Sequence, residues 1–144
     1  MTYPASEVVE EPALFAPAPE VAPELREFWD ATSEGRLLLR RCTVCDEAIW
    51  YPRPVCPFCH STRTVWEQAS GRGHIYTYSV VRRGTGGYAD APYVLAYVEL
   101  AEGPRVMTNI VDCDTDAVEI GQAVELVFHR TAEGTALPRF RPAR

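Results

Sequence analysis

Cys42, Cys45, Cys56 and Cys59 form two Cys-x2-Cys pairs with ten residues between them, and this spacing limits the possible folds more than any other feature of the chain. A two-residue spacer bends the backbone into a tight knuckle whose two thiolates converge on one point. Two knuckles then supply the four sulfur ligands of a tetrahedral ion. In Cys56-Pro57-Phe58-Cys59 the proline presets the turn. His60 follows the last cysteine, but four thiolates already fill the coordination shell, so His60 is placed beside the site and not on the metal. Two disulfides are the competing reading. They require an oxidising compartment, and the start of the chain has neither basic residues nor the apolar run and small-residue cleavage site of an export signal. The expected ion is a structural Zn2+. Iron in the same cage would give a rubredoxin-like electron carrier, and ligand type alone does not separate the two metals. A closed four-thiolate site leaves no position for water or substrate, so the metal points to architecture and not to catalysis.

The remaining composition narrows the chemistry. The chain has 144 residues and a net charge of −6, so attraction to a polyphosphate backbone is weak and no nucleic acid is expected. All fourteen basic residues are arginine. Schiff-base mechanisms and the Walker-type phosphate lysine are therefore excluded. Arginine still permits bidentate recognition of phosphate or carboxylate. No stretch approaches the roughly 20 apolar residues of a membrane span, and a cytoplasmic location is expected.

Residues 1–22 hold Pro4, Pro12, Pro17 and Pro19 among Glu7, Glu10, Glu11 and Glu20, with no basic residue. Such an arm cannot bury enough surface of its own to offset its ordering entropy, so it is either disordered or laid along a partner, and disorder is the expectation. Over 23–35 a helix is predicted: Pro23 suits its first position, Glu24 and Glu27 suit its positive end, and Gly35 closes it. Leu25, Phe28 and Trp29 share one helical face, which packs either on this chain's own core or on a partner. Residues 36–69 form the zinc ribbon, with short strands at Leu37-Leu38-Leu39 and Ala48-Ile49-Trp50-Tyr51.

From 70 to 144 five strands are predicted, at 74–82, 93–100, 105–111, 124–129 and 137–140, each bounded by turn residues. Alternation over the first strand places Ile75, Thr77, Ser79 and Val81 on one side and Tyr76 and Tyr78 on the other. Five short strands after a ribbon point to a small closed barrel of the OB type. The fold class is thus mainly β: an N-terminal helix, a four-cysteine zinc ribbon and a five-stranded OB-type barrel.

With ribbon and barrel both in view, the chain resembles the domain-of-unknown-function-35 family, the zinc-ribbon plus OB-fold proteins associated with acyl-CoA enzymes. The resemblance is carried by Phe28-Trp29, by Glu34 to Leu39, by Arg41 to Cys45 and by Tyr51 to Cys59. It continues through Ser70-Gly71-Arg72-Gly73, Tyr93 to Ala96, Thr108-Asn109-Ile110 and Leu137 to Phe140, so it covers nearly everything after the arm. The chain departs from the family pattern at the front, where a proline-rich acidic arm precedes a single clear helix.

The resemblance implies an accessory subunit. It would bind a thiolase-like enzyme of the lipid-transfer-protein type and help to form its acyl-CoA channel, as in sterol side-chain retro-aldol cleavage or related C–C bond chemistry. Catalysis would belong to the partner. The contrasting function is a zinc-ribbon/OB nucleic-acid-binding module, with tyrosines such as Tyr76, Tyr78 and Tyr97 stacking on bases. No catalytic residue is assigned. Cys113 lies between Asp112 and Asp114, which disfavour its thiolate, and no nucleophile stands beside His74 or His129 in sequence. Candidate coenzyme A phosphate ligands are Arg40, Arg41, Arg53, Arg72, Arg82, Arg83, Arg139 and Arg141, and candidate partner contacts are Leu25, Phe28 and Trp29. The Gly84-Thr85-Gly86-Gly87 stretch can bring backbone amides to a ligand, and a mobile loop explains its glycines equally well.

Overall fold

The computed structural model describes residues 2–144. After the arm, a single 3-10 turn at Pro23–Leu25 leads into helix α1, Arg26–Ser33. Proline, which lacks an N–H, stands where the first turn has no use for one. The helix ends at Gly35, whose φ of +80° allows Gly35 N–H to reach Thr32 O and Arg36 N–H to reach Ala31 O. Its inner face consists of Phe28, Trp29, Ala31 and Thr32, all buried.

The ribbon follows as a three-stranded antiparallel sheet. Strand β2 (Leu38–Cys42) lies between β3 (Ala48–Ile49) and β4 (Thr64–Gln68), so that Arg40 faces both Ile49 and Trp66. The barrel is built from β5 (Arg72–Val81), β6 (Tyr93–Leu100), β7 (Arg105–Ile110), β8 (Ala123–Arg130) and β9 (Ala136–Pro142). β5, β6 and β7 form a meander. β9 then joins β7 in parallel at Ile110↔Phe140 and runs antiparallel to β8, and β8 closes on β5. The barrel closes where residues 123–125 of β8 meet 72–74 of β5, and the rest of β8 keeps an open edge on that side.

Ribbon and barrel share one core. Phe28 of the helix and Leu37 and Leu39 of the ribbon belong to the same buried cluster as Ile75, Val98, Val106, Phe128 and Phe140 of the barrel. Burying each such side chain contributes about 1.5–3 kcal/mol, so the ribbon is fixed to the barrel by hydrophobic contact as well as by chain continuity. Cys42, Ile49 and Cys56 form a separate small cluster under the metal site.

Two sequence expectations are corrected here. Alternation on β5 does not run through: the register shifts between Ile75 and Thr77, so Ile75 is buried while Tyr76 and Thr77 are both exposed. Beyond this bulge it is Tyr78 and Val80, not Thr77 and Ser79, that pack on the core. The second concerns the arm, for which disorder is the expectation and which lies along the barrel in the structure. Val8–Val9 form a short strand, β1, parallel to β8 with Val9 opposite His129. Ser6 N–H donates to Gly35 O at 2.8 Å, and Tyr3 exchanges two hydrogen bonds with the Gln68 amide. Glu10 takes a forked pair from Arg130 at 2.9 and 3.0 Å, and Glu7 pairs with Arg141. Alone, the arm can bury too little surface to order itself. β8 and β9 supply a strand edge and cations that the arm lacks.

Candidate functional site

Each cysteine pair closes as a knuckle. Asp46 N–H donates to Cys42 O at 3.0 Å and His60 N–H donates to Cys56 O at 2.9 Å. Asp46 and His60, each the residue after a pair, both adopt φ of +63°, a left-handed position that Asp and His tolerate better than branched residues. His60 therefore serves the turn and is not among the ligand cluster. The four Sγ atoms lie within 4.8 Å of one another, with Cys42 to Cys59 and Cys45 to Cys56 both at 3.6 Å. Tetrahedral Zn–S bonds of about 2.3 Å require sulfur separations of about 3.8 Å, whereas a disulfide needs about 2.05 Å. The geometry is that of a metal site. The Cys42 thiol is drawn down to about 7, first by the Cys45 backbone N–H, so a thiolate is available near neutrality to start binding.

A second feature opens where helix, ribbon and barrel meet. A cleft of about 230 Å3 is lined by Phe28, Trp29, Trp50 and Tyr51 on one side and by Met107, Leu137 and Pro138 on the other, with Tyr88, Thr108, Asn109 and Arg139 completing it. Phe28 is the hub of its aromatic wall. Its ring meets Trp29, Trp50 and Tyr51 edge-on at centroid distances of 4.9, 5.6 and 5.5 Å. Trp29 is 7% exposed, and its indole N–H has no hydrogen-bond partner. Burial holds the Tyr51 hydroxyl above its usual pKa, and the nearby Trp29 N–H partly offsets this. A buried donor without an acceptor costs about 1–3 kcal/mol.

Phe28, fully buried, and Trp29 serve this chain's own core, and Leu25 packs against the same cluster, so the helical face is not a free partner surface. Arg139 is 2% exposed. It donates to Leu14 O, Phe15 O, Asn109 Oδ1 and His129 Nδ1, which leaves no guanidinium edge for a phosphate. Arg40 stacks on Trp66 at 3.9 Å, Arg41 pairs with Glu67 at 2.6 Å, Arg82 pairs with Asp116 at 2.9 Å, and Arg141 is shared by Glu7 and Glu125. Arg53, Arg72 and Arg83 are exposed and, among the described residues, have no acidic partner within salt-bridge distance. The eight arginines do not form one cluster: three lie on the ribbon and the others at different parts of the barrel. Cys113 points its thiol at Ile110 O, and burial followed by Asp112 and Asp114 pushes its pKa up, against any nucleophilic role. No helix is long and apolar enough to cross a membrane.

The cleft itself was not foreseen. Its walls come from five separate segments, and only the density of aromatics at 28–29 and 50–51 could have signalled it. The arm was also missed, although Glu7 and Glu10 with Arg130 and Arg141 were readable as complementary charge.

A rubredoxin-like metal ribbon joined to an OB barrel through one shared core is the class of protein that this fold and site define. A family model for the ChsH2 rubredoxin-like zinc ribbon domain matches residues 29–65, and one for the ChsH2 C-terminal OB-fold domain matches residues 66–129. The chain belongs to the DUF35 family, in its ChsH2-type form. It is 44% identical over 95 residues to a DUF35 domain-containing scaffold protein of Methanothermobacter thermautotrophicus, covering 65% of this chain and 71% of that protein. It is 34% identical over 134 residues to the probable enoyl-CoA hydratase alpha subunit of Thermomonospora curvata, covering 93% of this chain but only 42% of that longer protein. The benzoylsuccinyl-CoA thiolase subunit BbsA of Geobacter metallireducens is 31% identical over 88 residues, 61% of this chain and 58% of that one. Among solved structures, the Ltp2-ChsH2(DUF35) aldolase superposes with a TM-score of 0.79 at 35% identity, over 88% of this chain and 100% of the matched one.

Proposed function

We propose that this chain is a non-catalytic accessory subunit that binds a thiolase-like acyl-CoA enzyme and contributes one wall of the channel by which the thioester reaches the partner's active site. The observation that carries this reading is the aromatic cleft with the unpaired Trp29 N–H. The pantetheine arm of coenzyme A is slim, largely apolar and interrupted by two amides, and it suits a slot with apolar walls and one buried donor. Arg53, two residues after the cleft-lining Tyr51 and with its Nε 3.5 Å from Tyr51 O, with Arg72 and Arg83 as further candidates, would meet the phosphates. Two similar proteins carry thiolase or aldolase complexes in their descriptions, which supports a heteromeric partner.

In this reading Zn2+ fills the four-thiolate site and has no part in the reaction. It fixes Trp50 and Tyr51, which follow β3 between the two knuckles, against Phe28. The substrate class is an acyl-CoA thioester, and the bond changed is a C–C bond next to it. Trp29→Phe tests the reading, because it keeps the ring and removes only the donor. In the reconstituted complex the acyl-CoA KM should rise several-fold with partner affinity unchanged. An unaltered KM would remove the cleft from the acyl-CoA path.

A further inference from the structure

The arm and the cleft meet at Phe15 and Tyr88. Their rings touch edge-on, centroids 5.2 Å apart and planes at 80°, and Tyr88 leans in turn on Tyr93 at 5.1 Å. Tyr88 also lines the cleft. The backbone around Tyr88 is shaped for this contact: a Cβ on Gly87 would fall 2.4 Å from the Phe15 ring, and one on Gly84 would fall 1.7 Å from Tyr88 O. These two glycines are therefore accounted for by the arm and the turn, with no need of a ligand. Phe15 is 44% exposed, so core burial does not explain its position.

What holds Phe15 in place is Arg139. This buried guanidinium has no carboxylate partner among the described residues, and two of its acceptors are the Leu14 and Phe15 carbonyls. A buried cation that lost them would be left short of hydrogen bonds, so arm and arginine favour one seated state over partial release. Arg139 is itself a cleft-lining residue, as is Asn109, which accepts from its Nε at 3.2 Å.

We propose that residues 2–15 act as a strap that sets the mouth of the cleft: Arg139 seats Leu14 and Phe15, Phe15 braces Tyr88, and Tyr88 forms the lip. Arg139 is thus a positioning residue. The proposal rests on the cleft being the acyl-CoA path and adds a control over access to it. Because coupling between two sites is reciprocal, occupancy of the cleft should tighten the strap by the same factor by which the strap tightens the ligand.

The test uses the full chain, 15N-labelled, and its three indole N–H resonances. Trp29 and Trp50 line the cleft and report its mouth, whereas Trp66 lies under Arg40, outside the cleft and beside Thr2 at the start of the arm. Phe15→Ala removes the brace from an exposed position, and Gly87→Ala displaces it from the other side. Both should shift the Trp29 and Trp50 indole signals and speed proteolytic clipping within the arm. Unmoved Trp29 and Trp50 signals in both variants overturn the strap. Pantetheine titrated into wild type and Phe15→Ala, read by tryptophan fluorescence, should bind the variant at least about 5-fold more weakly. Failure of pantetheine to bind wild type counts against the acyl-CoA reading of the cleft, and the indole signals still decide the strap.

Discussion

Arg139 donates a hydrogen bond of 2.9 Å to Nδ1 of His129, and because guanidinium has no lone pair to accept with, the imidazole must be neutral with its proton on Nε2. Burial, and next the Arg139 charge, hold the His129 pKa at about 4 against an ordinary 6.5. Between those values the unfolded chain takes up a proton that the folded chain resists. Stability is therefore full above pH 6.5 and falls as the pH drops toward 4, by up to about 3 kcal/mol. The Glu7 and Glu10 carboxyls, lowered first by their hydrogen bonds from Arg141 and Arg130, add their own loss only below about 4.5. Denaturant midpoints of wild type and His129→Asn between pH 4.5 and 7 check this: the wild-type slope should largely vanish in the variant.

Removing the metal should loosen more than the ribbon. Cys42→Ser or Cys59→Ser, or a strong chelator, is expected to release zinc and lower the melting temperature sharply, since structural zinc contributes on the order of 10 kcal/mol in isolated ribbons. Trp50 and Tyr51 lie between the two cysteine pairs, so the fluorescence of the cleft should change in step with metal release. A melt like that of the metal-bound protein after either substitution would show that the ion is not structural.

Gly35→Ala is expected to cost about 1–3 kcal/mol. Its φ is +80°, and an added Cβ would fall 2.4 Å from Ser6 O, so the helix end and the arm are disturbed together. Chemical denaturation measures the loss, and faster proteolysis in residues 2–15 reports the arm.

Trp29 separates packing from ligand contact. Trp29→Ala should destabilise the chain by about 3–5 kcal/mol, because the ring is 7% exposed and part of the main core. Trp29→Phe should change stability little, since it also removes an unsatisfied donor. Unfolding curves of the two variants give the comparison directly.

The parts of this protein written in local sequence were the legible ones. The cysteine spacing specifies knuckles within four residues, and the barrel strands carry their own alternation and turn residues. The bulge on β5 was not legible, because the two-residue period of Ile75, Thr77 and Ser79 looks continuous until β6 imposes its register. The arm failed for a related reason: its stabilising partners, Arg130, Arg139 and Arg141, lie more than 115 positions away. Trp29 was readable as one side of an apolar face, but which surface that face covers is decided by Leu37, Leu39 and the barrel, not by the helix. The cleft combines all of these, and so only its aromatic components were visible in advance.

The central claim is that the chain works as one subunit of a thiolase-like enzyme. The most direct measurement is affinity purification of the tagged full chain from its native host, with the mass of the eluted complex measured by light scattering and its acyl-CoA activity assayed with and without the partner. A near-stoichiometric thiolase-like chain, with activity in the complex and none in the isolated chain, is the predicted result. Recovery of the chain alone, or turnover of acyl-CoA by the chain by itself, would contradict it.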